Sequence, residues 1–449
     1  MTILAGASRR EINPSGPTAL YGYPHVERIS QGVHDPILAS ALCIKNDTCT
    51  VVLISLDILF LDPPTARSIR KAVAERISAD EVCVFISCTH THSGPVTGRM
   101  LGWQEDETIP APDLTYLDYV KSQAVAAAAE ALEHVKPAEI AWTTADATGV
   151  GGNRLAADAT TDPEAAILVV RETERDANDC KKLLAAAIVY GMHPTVLHED
   201  SPWVSSDFPH YTREYLAQRF GQQLTVVYHT APCGNQSPRY HVKGQTFEEA
   251  QRLGEKLGVA VADSIDAIGE ERFNADATLW GKLAELELPR RAMPSVDEAQ
   301  KTLEEYRATY ERLRTDAAPR PEIRTAECAI FGAEGSLALA RAEKSGQIEE
   351  TLASYRPLEV QAVRIGEATL LGLPGECFTE YALTIKSRAG KGVYVVSLVN
   401  GELQGYIVTP EAAAAGGYEA TNALFSPQAG GIMVETALKL LNNTVVEGH

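Results

Sequence analysis

The side chains able to do chemistry collect in four short segments: "CTHTHSGP" (88–95), "YGMHPT" (190–195), "YHTAPCGNQSP" (228–238) and "LPGECF" (373–378). Each one ends a run of apolar residues that reads as a strand. In α/β sheets ligands bind beyond the carboxyl ends of strands, so a fourfold recurrence is informative where a single such ending would mean little. Residues two apart in an extended chain project to the same side, which predicts that His90 and His92 face one site. His193 follows a second run, and Glu376 follows Gly375 at a predicted strand-to-helix turn. Two imidazoles and a carboxylate are a common catalytic zinc set. Taken singly, the same residues also fit a surface histidine pair, a core histidine and a carboxylate at a helix N-terminus. Ser237 sits in the turn "GNQSP", which lacks the GxSxG elbow, so no Ser-His-Asp triad is expected. In "GGNRL" (151–155), Arg154 stands beside two glycines, either as a clamp for an anion or carbonyl or as an ordinary surface arginine.

Positioning these residues calls for alternating strands and helices. Strand-like runs fall at 50–57, 82–88, 165–171, 184–192, 224–229, 368–373 and 393–399. Helical patterns fall at about 64–77, 116–134, 209–219, 247–267 and 429–442. This predicts an α/β fold with a layered mixed β-sheet core flanked by helices. The charged segment 296–316 and the helical stretch 339–355 read as a peripheral helical excursion at 289–357, within a single catalytic domain spanning 1–449.

Composition narrows the function classes. The chain has 449 residues, 45% hydrophobic and 22% charged, ordinary values for a globular protein. A net charge of −20 argues against binding nucleic acid or an anionic membrane, since both need a positive face. The start "MTILAGASRREINP" lacks a basic segment followed by an apolar core, which leads to the expectation of a cytoplasmic protein. No apolar stretch approaches the roughly 20 residues that span a bilayer, and no stable membrane association is expected. The eight cysteines include no CxxC pair and read as small buried thiols. No feature specifies an oligomer.

The motifs "THTHSGP", the His193 segment, "GNQSP", "LPGE" and "GYEAT" (417–421) occur in an order that resembles the neutral/alkaline non-lysosomal ceramidase family. The opening "GASRREINPSG" and "QGVHDPILASALCI" (31–44) are similar to that family's start, so the resemblance runs from about residue 4 to about residue 440. It implies one zinc ion per chain, held by His90, His193, Glu376 and Tyr418, with Tyr406 the alternative to Tyr418. It further implies catalytic roles for His92, Arg154 and Ser237. The family motif "GDxSP" reads "GNQSP" here, placing Asn235 where an aspartate is usual. Members carry an immunoglobulin-like C-terminal domain, which this sequence, reaching the helix "GGIMVETALKLLNN", is not expected to contain. The implied function is a zinc-dependent hydrolase that cleaves the N-acyl carbon–nitrogen bond of a small soluble substrate with metal-activated water. Alternatives are an esterase, lactonase or true ceramidase on the same site, and a non-catalytic metal- or ligand-binding protein. His/carboxylate sites also accept other divalent metals.

Overall fold

Alternation along the β-branched runs divides their side chains between two faces, and that division builds the layers. In Thr50–Leu56, Val52, Ile54 and Leu56 pack with Ala66, Ile69 and Val73 of the following helix. Val51 and Leu53 turn the other way and pack with Val363, Ile365 and Leu370 of a second sheet. The chain is described by a computed structural model over residues 2–175 and 181–442. Cys180 lies outside the described residues, and the other seven cysteines are free thiols.

Strands β1 (Leu4–Glu11), β2 (Leu38–Lys45), β3 (Thr50–Leu56), β4 (Val84–Cys88), β5 (Lys136–Asp146), β6 (Glu164–Arg175), β7 (Lys181–Tyr190) and β8 (Thr225–Thr230) form an eight-stranded sheet. Their spatial order is β8-β7-β6-β5-β1-β2-β3-β4. A second sheet holds β9 (Leu279–Leu286), β10 (Leu358–Ile365), β11 (Ala368–Gly372) and β12 (Val393–Val396), in that order. The helices are α1 (Pro63–Ile77), α2 (Leu114–Glu133), α3 (Phe208–Phe220), α4 (Phe247–Asp266), α5 (Val296–Thr315), α6 (Arg320–Ser345), α7 (Gln347–Tyr355), α8 (Thr379–Ala389), α9 (Pro410–Ala415), α10 (Tyr418–Thr421) and α11 (Ala429–Asn442). The sheets face each other; α1 and α2 cover one half of the large sheet's outer face, α3 and α4 the other. Helices α7, α8 and α11 cover the small sheet. The layered, mixed α/β core expected from the sequence is what the chain forms.

Most neighbouring strands run antiparallel, but β3/β4, β7/β8 and β11/β12 are parallel. A parallel pair needs a crossover, supplied here by α1, α3 and α8. The two edges of the large sheet are joined by side chains. Ser87 Oγ lies 2.8 Å from His229 Nδ1, Thr230 Oγ1 donates to the Thr89 carbonyl at 2.8 Å, and Ser55 Oγ donates to the Tyr228 carbonyl. This seam brings the carboxyl ends of β4, β7 and β8 together. Ser397 N–H donates to the Thr230 carbonyl at 2.8 Å, docking the segment after β12 against the same seam.

Sequence periodicity missed β1, β2, β5, β9, β10 and most of α6. The stretch 339–355 is not one helix, because Gly346 at φ 83° ends α6 and starts α7. Nor is the excursion merely peripheral, since α6 packs over the segments described next. Among the described residues, no helix is long and apolar enough to cross a membrane.

Candidate metal centre

His90 does not sit on a strand. β4 ends at Cys88 and His90 adopts φ 69°, so strand alternation is not what brings the two imidazoles together. The turn is held instead by the His90 N–H donating to the Ile58 carbonyl at 3.0 Å and by the ring Nδ1 lying 2.9 Å from the Leu59 carbonyl. Nδ1 of His92 lies 3.0 Å from the Gly22 carbonyl. That approach requires glycine: Gly22 has φ 116°, and a Cβ there would stand 2.5 Å from His92 Nδ1. His193, beyond β7, sets its Nδ1 2.8 Å from the Cys233 carbonyl and 3.1 Å from that of Gln236.

A carbonyl only accepts, so each Nδ1 carries the hydrogen and each neutral ring offers a lone pair at Nε2. One ring nitrogen from each of His90, His92 and His193 lies within 4.8 Å of the others, and this group could hold a metal ion. Glu376 Oε2 is 3.2 Å from His90 Nε2 and 3.1 Å from His193 Nε2. His90 Nε2 and His92 Nε2 are buried with no hydrogen-bond partner among the described residues. Lone pairs facing a carboxylate oxygen at that range repel unless a cation lies between them, so the donor set suits a divalent metal. Burial pushes His193 down to about 4, and the nearby Arg154 charge adds to this. Burial holds His92 well below the ordinary histidine value, and a proton on His90 would lower it further. Burial opposes ionisation of Glu376, but the charged forms of His90 and His193 would outweigh it and keep the carboxyl well below its usual range, as a cation between them would.

Gly375 at φ 72° turns the chain after β11 and delivers Glu376. Glu376–Cys377 pairs in parallel with Tyr406–Ile407, with Glu376 opposite Tyr406, so their side chains project to one face. Tyr418 opens α10, and its ring centroid is 6.0 Å from that of Tyr406. Arg154 is no surface arginine: its side chain is 16% exposed and its Nε donates to Glu419 Oε1 at 2.8 Å. Its guanidinium carbon lies 5.3 Å from the Tyr406 ring centre, and one terminal nitrogen is buried without a hydrogen-bond partner among the described residues. Pairing of Gly152–Asn153 with Gln236–Ser237 carries the Arg154 and Ser237 segments to the same rim. Ser237 Oγ accepts from Arg239 N–H at 3.3 Å. Asn235 looks away from the metal centre; its Oδ1 accepts from Thr379 N–H at 2.9 Å and its amide donates to Glu380 at 2.8 Å. A carboxylate there would face Glu380 with like charge, which accounts for the amide in "GNQSP".

Sequence reasoning missed Gly22 and Glu419, whose partners stand 70 and 265 positions away in the chain. Above Glu376, Tyr406, Tyr418, Trp103 and Leu339 enclose a cavity of about 20 Å³, room for about one water.

The family described as neutral/alkaline non-lysosomal ceramidase, N-terminal, matches residues 4–226. Residues 4–226 belong to this family. Membership implies a hydrolase acting on carbon–nitrogen bonds. Among solved structures, the neutral ceramidase of Pseudomonas aeruginosa shares the fold, with TM-score 0.73 and 17% identity over 99% of this chain and 75% of that one. A ceramidase complexed with C2 aligns with TM-score 0.73 and 15% identity, covering 98% of this chain and 75% of the other. No curated protein sequence matches the chain.

Proposed function

We propose that the protein is a zinc-dependent amidohydrolase that cleaves the N-acyl bond of a small substrate. The observation that carries this reading is the convergence of unprotonated Nε2 atoms on Glu376, at 3.1 and 3.2 Å. Donor atoms arranged tetrahedrally about 2.0–2.1 Å from zinc stand roughly 3.3 Å apart, which agrees with both distances. His90, His193 and Glu376 are thus the proposed ligands, with a tyrosine as the fourth. The register opposite Glu376 favours Tyr406 over Tyr418. When bound, zinc polarises the scissile carbonyl and lowers the pKa of water towards neutrality.

The chain's own residues do the rest. His92 is neutral and fixed by the Gly22 carbonyl, and it takes a proton from the attacking water at Nε2 and passes it to the leaving nitrogen. The unpartnered nitrogen of Arg154 donates to the oxyanion while Glu419 holds the other side of the guanidinium. Ser237 positions substrate at the rim. The closeness of the walls above Glu376 supports a short acyl group and a small amine rather than a two-chain lipid.

The test is metal analysis joined to a panel of short N-acyl amines, N-acyl amino sugars, esters and ceramide. About one zinc per chain is expected, with turnover of a short N-acyl substrate, and His90→Ala should lose both. A metal-free His90→Ala protein with full activity would refute the reading, and a preference for ceramide would refute the substrate class.

A further inference from the structure

Helix α6 belongs to the excursion, yet it forms the roof of the metal centre. Leu339, only 1% exposed, lines the cavity with Trp103 and Tyr418. Two glycines on the same helix let it come this close. A Cβ on Gly332 would lie 2.5 Å from Thr421 Oγ1, and one on Gly335 would lie 2.3 Å from Asn422 Oδ1. Both neighbours belong to the segment that starts at Tyr418. The hairpin of α5 and α6 has a small core of its own, in which Ala299, Leu303, Ala333, Leu337 and Ala340 pack together. Part of its attachment to the rest of the chain is polar: His25 Nε2 stands 3.1 Å from Glu334, Arg324 3.1 Å from Glu199, and Arg341 pairs with Glu105. His25 also stacks on Phe331 with ring centroids 5.1 Å apart.

We infer that the α5–α6 hairpin is the size filter of the site: seated through Gly332 and Gly335, it limits the metal centre to ligands with short acyl chains, and Leu339 sets the length. This rests on the amidohydrolase reading for its substrate class, but the seat of the hairpin is a property of the packing alone. The cavity of about 20 Å³ on the Glu376 side of the centre holds no acyl chain, so a chain placed there displaces side chains under this roof or the roof itself. Besides its own small core, the hairpin is tied by Leu339 and Ala342 into the core beneath the small sheet, so a change at Leu339 alters the roof without releasing the hairpin.

The experiment uses the zinc-loaded full chain and a series of straight-chain alkyl hydroxamates from acetyl to octanoyl, with binding measured by calorimetry. The wild type should bind the short members and reject the long ones. Leu339→Ala removes three carbon atoms from the roof and should improve binding of the longer members by about tenfold or more relative to acetyl. Gly332→Ala with Gly335→Ala should unseat α6 while favouring the helix itself. The readout for that variant is faster iodoacetamide labelling of Cys328, a partly covered thiol on α6, followed by peptide mass spectrometry. Equal affinity of the wild type for acetyl and octanoyl, or an unmoved cut-off in Leu339→Ala, overturns the filter, as does unchanged labelling of Cys328. A clear cut-off with no N-acyl substrate turned over would leave the filter standing and bring down the amidohydrolase reading instead.

Discussion

Replacing Gly22 with alanine moves His92 without altering any ionisable group. The new Cβ would meet Nδ1 at 2.5 Å, against an ordinary contact of about 3.5 Å, so the ring must shift by about 1 Å. Holding a residue with a Cβ at φ 116° costs roughly 1–3 kcal/mol, and loss of the hydrogen bond to the Gly22 carbonyl adds about 0.5–1.5 kcal/mol. The total lies below the roughly 5–15 kcal/mol that holds a typical domain together, so the variant should fold. A 1 Å misplacement of a catalytic group costs about 10²-fold in rate, and that is the expected fall in kcat. Zinc should stay near one per chain, because His90 and His193 have separate anchors at Leu59 and Cys233. Zinc is to be measured by atomic absorption after gel filtration, alongside steady-state kinetics and a thermal melt. Zinc lost in step with activity would make His92 a ligand, and unimpaired kcat would remove it from the mechanism.

Tyr406→Phe should weaken zinc binding by at least the roughly tenfold that even an outer partner contributes, whereas Tyr418→Phe should leave it unchanged; competition with a chromogenic chelator decides, and the opposite order reinstates Tyr418. His229 is pushed down to about 3 by burial, below the ~6.5 of an unfolded histidine. The stability its neutral form provides is therefore complete above about pH 6.5 and lost as pH falls towards 3, by at most about 5 kcal/mol. His229→Gln should flatten the acid limb of a stability–pH curve, and an unchanged limb would count against this. Asp57 and Arg213 form a buried double contact at 2.7 Å, beside the loop whose Leu59 carbonyl holds His90. Asp57→Leu leaves the guanidinium unpaired and should cost about 3–5 kcal/mol in a denaturant titration, an expectation that a loss under about 1 kcal/mol would contradict.

What could be read in advance follows from how local the causes are. β3 and β4 were legible because both of their faces are buried, and the continuous apolar run that results is visible in any short window. β1 was not, since "LAGASRRE" pairs with β2 and β5 through its backbone while its arginines reach Gln123 and Gln222 across the surface. α6 escaped because it buries one face on α5 and another on the metal-centre rim, so no single apolar stripe marks it. At the site, the donor types were legible and the cause of their convergence was not. His90 and His92 share a site through a left-handed turn, and Arg154 is half-buried against Glu419, which lies 265 residues further on.

The three imidazoles are all fixed by the same kind of group. Every Nδ1 hydrogen goes to a main-chain carbonyl, of Leu59, Gly22 or Cys233, with Gln236 sharing the last, and none goes to a carboxylate or amide side chain. Genetic change rewrites side chains and leaves carbonyls in place. The tautomers of His90 and His193 are therefore shielded from single substitutions at their own partners, whereas at Gly22 any added Cβ displaces His92. Divergence of substrate preference can then proceed in the roof and rim of the pocket while the reactive centre beneath keeps its protonation pattern.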